Sequence, residues 1–146
     1  MSKKFMMLIT VVTLLLTSGI AFSQESVTET TTKPQEKTTA LFNVSKFVVC
    51  TGVENRMPVG VAETFSASTQ KVYAFLDATK ITEDTQVTFV WTYNKKEVSK
   101  FELPIKKGYR WRTFASKTVS GMKGDWAVEL KDANGDTLKT VQFKIE

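Results

Sequence analysis

From Val44 to the last residues, apolar and polar positions alternate in short runs, and nowhere does the apolar spacing follow the three-to-four-residue step of a helix. Val44 to Thr51 reads as a first strand. Glu54 to Gln70, marked by Pro58 and Gly60, reads as a long connection. Val72 to Leu76 is apolar on both faces, the pattern of a central strand. Val87, Phe89, Trp91 and Tyr93 alternate with Thr88, Val90 and Thr92 in a third strand, and Asn94-Lys95-Lys96 follows as a hairpin turn. Val98 to Ile105 and Tyr109 to Val119 read as the fourth and fifth strands. Trp126, Val128 and Leu130 face inward in a sixth, Asp132 to Asp136 forms a turn around Asn134-Gly135, and Val141, Phe143 and Ile145 line a seventh. About seven short strands with turn signals between them predict an all-β fold, an antiparallel β-sandwich that is immunoglobulin-like in the broad sense of two packed sheets.

The first 41 residues carry a different pattern. Lys3 and Lys4 precede an apolar run from Phe5 to Leu16, and Ala21-Phe22-Ser23 sets small residues three and one before a cut at Gln24. That is the layout of a secretory signal peptide over residues 1–23. The rival reading, an uncleaved anchor, has a barely sufficient apolar length, since a span needs about 20 apolar residues. Residues 24–41, rich in threonine and poor in large apolar side chains, read as a flexible linker. The folded domain is expected over 42–146. The protein is expected to be exported, periplasmic or extracellular, with no transmembrane span after cleavage and as a monomer.

The 146 residues contain no histidine and one cysteine, Cys50. A Ser-His-Asp or Cys-His nucleophile system is therefore excluded, as are histidine-ligated and multi-thiolate metal sites. No internal disulfide can form, so stability rests on burial. Cys50, inside the apolar run Phe47 to Cys50, reads as a buried thiol behaving as a small hydrophobe; a reactive thiol is the alternative. No metal or cofactor is expected. An enzyme would need paired carboxylates, for which Glu54, Glu63, Asp125 and Glu129 are available, but nothing in their spacing joins any two.

Charge sharpens the picture. Removing residues 1–23 lowers the net charge from +5 to +3. Residues 95–123 hold nine basic and two acidic residues, a net +7, while the rest of the domain from residue 41 sums to −3. That imbalance favours an anionic partner: an acidic glycan, a lipid headgroup or an acidic envelope protein, with nucleic acid set aside because the chain is exported. In Tyr109-Arg110-Trp111-Arg112-Thr113-Phe114, strand alternation puts Arg110 and Arg112 on the face opposite Trp111. If Trp111 is core, the two guanidinium forks stand together on the outer face, free to take a carboxylate, sulfate or phosphate, or to pair with a strand carboxylate such as Glu129. The candidate contacts are Arg56, Arg110, Arg112 and Lys117, with Tyr93 as a stacking residue. Trp91, Tyr93, Trp111 and Trp126 could also form a sugar platform, although aromatic residues at strand spacing are the usual material of a core. The functional expectation is a non-catalytic binding module for an anionic partner. The alternative is an assembly module that pairs with another envelope protein through a sheet edge.

Arg56 with Pro58-Val59-Gly60, Val72-Tyr73, Trp91 with Tyr93-Asn94, Arg110-Trp111-Arg112-Thr113 with Ser116-Lys117, Gly124-Asp125-Trp126, and Asp132 with Gly135 form an ordered set across the domain. In this set the chain resembles a bacterial exported family catalogued as domain of unknown function 2914. The Arg-Trp-Arg-Thr run and the Gly-Asp-Trp after it are its most specific parts. That family often has a histidine before the tryptophan of the third strand; Phe89 and Val90 stand there in this chain. The resemblance implies an exported β-domain. It brings no activity and no catalytic residues.

Overall fold

The computed structural model describes residues 40–146. The signal peptide expected over 1–23, and the linker as far as residue 39, lie outside the described residues. Nine strands, and no helix among the described residues, make up the domain: β1 (Asn43–Glu54), β2 (Met57–Val61), β3 (Thr64–Phe65), β4 (Lys71–Ile81), β5 (Thr85–Tyr93), β6 (Lys96–Ile105), β7 (Gly108–Thr118), β8 (Gly124–Lys131) and β9 (Thr137–Ile145). They form a four-stranded sheet in the order β2-β1-β4-β7 and a five-stranded sheet in the order β3-β9-β8-β5-β6. Every pairing is antiparallel except β3 with β9, which is parallel. The all-β sandwich expected from the alternating pattern is the observed fold.

The two strands beyond the expected seven come from the Glu54–Gln70 connection. Asn55 and Arg56 take φ of 50° and 61° and close a two-residue hairpin. This is the left-handed geometry such turns require, formed here without glycine at the second position. Pro58 is tolerated in β2 because that strand lies at the edge of its sheet. Gly60 has φ of 67°, and a Cβ there would collide with Thr51 Oγ1, so only glycine fits.

The core lies between the sheets. Phe47 and Val49 (β1) and Val72, Ala74, Leu76 and Ala78 (β4) face Val87, Phe89 and Trp91 (β5), Trp126, Val128 and Leu130 (β8), and Phe143 and Ile145 (β9). Phe47 meets Phe89 edge-on at 5.3 Å between ring centroids, while Trp126 stacks on Phe143 at 6.0 Å. As expected, β4 is central, flanked by β1 and β7. It also runs five residues further than its apolar run suggests, through Asp77 to Ile81.

The link from β6 to β7 is one of those at which the chain passes between the sheets. Asp84 pins that link: it accepts hydrogen bonds from the Lys107 backbone N–H at 2.8 Å and from Lys106 Nζ at 3.0 Å. These donors hold its carboxyl below the ordinary aspartate range. Strands β6 and β7 each form an edge of their sheet and are joined by this link.

Candidate functional site

Alternation along β7 turns Trp111, Thr113 and Ala115 toward the other sheet and Arg110, Arg112 and Phe114 outward, as expected. What the arginines meet on the outer face is Asp77. Arg112 stands directly opposite Asp77 in the β4–β7 register, and Arg110 is opposite Thr79. Arg110 Nε donates to both carboxylate oxygens, at 2.8 and 3.1 Å, and its Nη2 donates to Oδ2 as well. Arg112 Nε donates to Oδ2 at 3.2 Å. Asp77 is only 3% exposed. The Arg110 side chain keeps 45% of its surface exposed and that of Arg112 keeps 24%. One buried carboxylate therefore orients two guanidinium groups and leaves a net charge of +1. The hydrogen bonds from Arg110, more than those from Arg112, outweigh burial and hold the Asp77 carboxyl below its usual range; in turn Asp77 raises Arg110.

Two expectations are corrected here. The strand carboxylate paired with the arginines is Asp77, not Glu129, because Glu129 lies on β8 in the other sheet, where it pairs with Lys131 at 3.3 Å. Trp111 is half-buried against the core rather than fully enclosed, because β7 is an edge strand with no neighbour on one side. Sequence reading missed Asp77. Its signal was present: a single acid directly after the apolar run Val72 to Leu76.

The other candidate contacts do not join this pair. Arg56 occupies the left-handed hairpin turn between β1 and β2, whereas the arginine pair belongs to β7 at the opposite edge of the sheet. Lys117 lies on the inward parity of β7, opposite Val72, and so faces away from Arg110 and Arg112. Tyr93 is a packing residue: its ring lies 4.7 Å from that of Trp126 and its hydroxyl donates to the Lys123 carbonyl at 2.7 Å. The sugar platform is likewise replaced by core, since Trp91 and Trp126 are fully buried and Tyr93 and Trp111 pack beside them. Cys50 is a free, buried thiol, donating to the carbonyls of Gly52 and Tyr73, and burial pushes it above its ordinary range.

The +7 segment is divided between the two sheets on folding: Lys100, opposite Val90, faces outward from the five-stranded sheet, whereas Arg110 and Arg112 face outward from the four-stranded sheet. Lys96 and Lys100 lie on β6, Lys106 and Lys107 in the link, and Arg110 and Arg112 on β7, so both of these edge strands are basic. Tyr109, at the start of β7, is 80% exposed. On the five-stranded sheet, Thr92, Asp125, Ala127, Glu129, Gln142 and Lys144 line a shallow recess. Three of the carboxylates singled out in the sequence, Glu63, Asp125 and Glu129, line this recess, whereas Glu54 does not. Among the described residues no group of three or more His, Cys, Asp or Glu side chains is placed to hold a metal ion.

The Arg-Trp-Arg-Thr run and the Gly-Asp-Trp at the start of β8 thus lie on an edge strand and on an inner strand of one sandwich. Residues 84–145 match the family described as "Protein of unknown function (DUF2914)". The DUF2914 match runs from the end of the β4–β5 link to the end of β9, and so contains the arginine pair but not its carboxylate, Asp77. No curated protein matches the chain. Among solved structures the chain is similar to a beta-glucosidase from Kluyveromyces marxianus (11% identity, TM-score 0.42, covering 72% of this chain and 14% of that one). It is also similar to a beta-glucosidase from Listeria innocua in complex with glucose (6% identity, TM-score 0.45, 71% and 15%). A third is a beta-D-glucoside glucohydrolase from Trichoderma reesei (12% identity, TM-score 0.42, 72% and 19%). The chain spans less than a fifth of each of these proteins, and nothing of their chemistry is carried over to it.

Proposed function

We propose that this protein is an exported, non-catalytic β-sandwich module that binds an anionic component of the cell envelope or an anionic extracellular partner. The observation that carries this reading is the pair of guanidinium groups, Arg110 and Arg112, held side by side on the outer face by the single carboxylate of Asp77, in a segment whose edge strands and link are otherwise rich in lysine. Asp77 uses Arg110 Nε and Nη2 and Arg112 Nε, so the remaining guanidinium N–H groups are free to donate to carboxylate, sulfate or phosphate oxygens. Such a surface raises the local concentration of anions and speeds encounter. Export is part of the proposal and rests on the layout of residues 1–23.

The test is retention of the chain from Gln24 onward on an immobilised acidic polysaccharide and on anionic vesicles, at low salt and at about 1 M salt, where the Debye length shrinks to about 3 Å. Retention at low salt that is lost at high salt is the expected result. It should also be weakened in a Lys96→Gln, Lys100→Gln, Lys107→Gln variant, which leaves Asp77 paired. No retention on either matrix at low salt would overturn the reading. The open edge of β7, which contains no proline, favours a second reading as an assembly module that accepts a partner strand. Crosslinking in intact cells that yields one dominant protein partner would favour it.

A further inference from the structure

The outer face of the four-stranded sheet has an unusual distribution of side chains. By register and alternation it carries Met57, Val59 and Val61 from β2, Val48 and Cys50 from β1, Tyr73 and Phe75 from β4, and Phe114 from β7. Met57, Val59, Val61 and Phe114 are each more than two-fifths exposed, whereas an outward face of a half-buried sheet is ordinarily polar. Phe114 also rests edge-on against Tyr73 at 5.9 Å, which extends the apolar surface across the sheet. Around this centre stand cations. Lys46 and Lys71 lie on the same face and are exposed, and Arg110 and Arg112 close the β7 side. The acids on the face are Glu54, at the β1–β2 end, and Asp77, which the arginines already neutralise.

We propose that this face docks on a lipid surface bearing anionic headgroups, with the valines, Met57 and Phe114 against the apolar boundary and the surrounding Lys and Arg side chains among the headgroups. The inference rests on the anionic-partner reading above and names the partner. An apolar patch bounded by cations matches an interface in which apolar burial and headgroup attraction act together. Charge argues against a second copy on the same face, since each copy would bring its own Lys46, Lys71, Arg110 and Arg112. Shape argues against a protein partner. The exposed apolar side chains are spread over both edges of the sheet, from Met57, Val59 and Val61 on β2 to Phe114 on β7, as suits a broad fluid surface.

The experiment is co-sedimentation of the chain from Gln24 onward, which keeps every described residue, with vesicles of phosphatidylcholine alone and of phosphatidylcholine mixed with phosphatidylglycerol. Binding is expected to the mixed vesicles and not to phosphatidylcholine alone. Two double variants change exposed residues only. Lys46→Glu with Lys71→Glu reverses two of the four cations and weakens the charge attraction, and Val59→Thr with Val61→Thr keeps the β-branched shape while removing apolar surface. Each should lower the partition coefficient about tenfold with an unchanged melting temperature.

Absence of binding to mixed vesicles, equal binding to both vesicle types, or binding that neither double variant weakens would each overturn the proposal. So would a concentration-dependent dimer, seen by sedimentation and removed by the valine exchange, in a protein that ignores vesicles. Retention on acidic polysaccharide without vesicle binding would sink the lipid assignment and leave the anionic-partner reading standing. Loss of both would sink both.

Discussion

At the scale of single residues, Asp77 organises the candidate site, and its protonation is the measurable handle. An unfolded aspartate titrates near 3.9, and the folded value is lower because the arginines favour the charged form. Its contribution to stability is therefore complete above about pH 5 and lost as pH falls through the folded value. Urea midpoints measured from neutral pH down to about pH 2 should show a weaker acid-side decline in Asp77→Asn than in the parent protein. At neutral pH, Arg110→Ser with Arg112→Ser leaves Asp77 buried without a partner. We expect a loss of stability, smaller than the roughly 3–5 kcal/mol seen where both partners are buried, because Arg110 stays nearly half exposed. Trp111→Ala should cost a similar amount, and Trp91→Ala, which empties a fully buried site, about 3–5 kcal/mol. The sequence alone suggests a different order, with the tryptophan structural and both arginines free. Thermal melting of the variants decides between the two orders.

At the scale of elements, the β1–β2 hairpin shows how a turn can escape a sequence reading. Asn55-Arg56 satisfies left-handed geometry that Asn-Gly would have announced. Arg56→Gly relieves backbone strain at the expense of a looser unfolded chain, so stability should stay level or rise by up to about 1 kcal/mol. Binding to an anionic matrix should not change, since Arg56 and the basic edge lie at opposite ends of the strand order. Gly60→Ala adds a Cβ that collides with Thr51 Oγ1 at a position of positive φ, and should destabilise by about 1–3 kcal/mol in a denaturant titration. Strand β4 is legible in its apolar half, Val72 to Leu76. Its continuation through Asp77 is not, because an aspartate is tolerated in a buried strand only when a charged partner arrives from elsewhere in the chain.

At the scale of the whole molecule, the sandwich closes around one aromatic-rich core with no covalent crosslink, since Cys50 is the lone cysteine. Unfolding by heat should be a single cooperative transition, the same by calorimetry and by circular dichroism, and unmoved by a thiol reductant. A shift of the midpoint with reductant would reveal an intermolecular disulfide, and with it an exposed Cys50. The strand order also divides a local excess of charge. The lysines of β6 and the arginines of β7 are close in sequence, but they belong to edge strands of different sheets, and Lys100 faces outward from one sheet while Arg110 and Arg112 face outward from the other.

The fold class, the inward residues of β5, β8 and β9, the outward direction of Arg110 and Arg112, and the burial of Cys50 all followed from the sequence. Each depends on period-two alternation or on apolar character, and both are local properties. Tertiary structure alone decided that the arginines hold Asp77, that Tyr93 packs on Trp126, that Arg56 and Lys117 stand apart from the pair, and that exposed valines share a face with four cations. Those facts depend on register between strands distant in the chain, and register is set by the joint burial of both sheets.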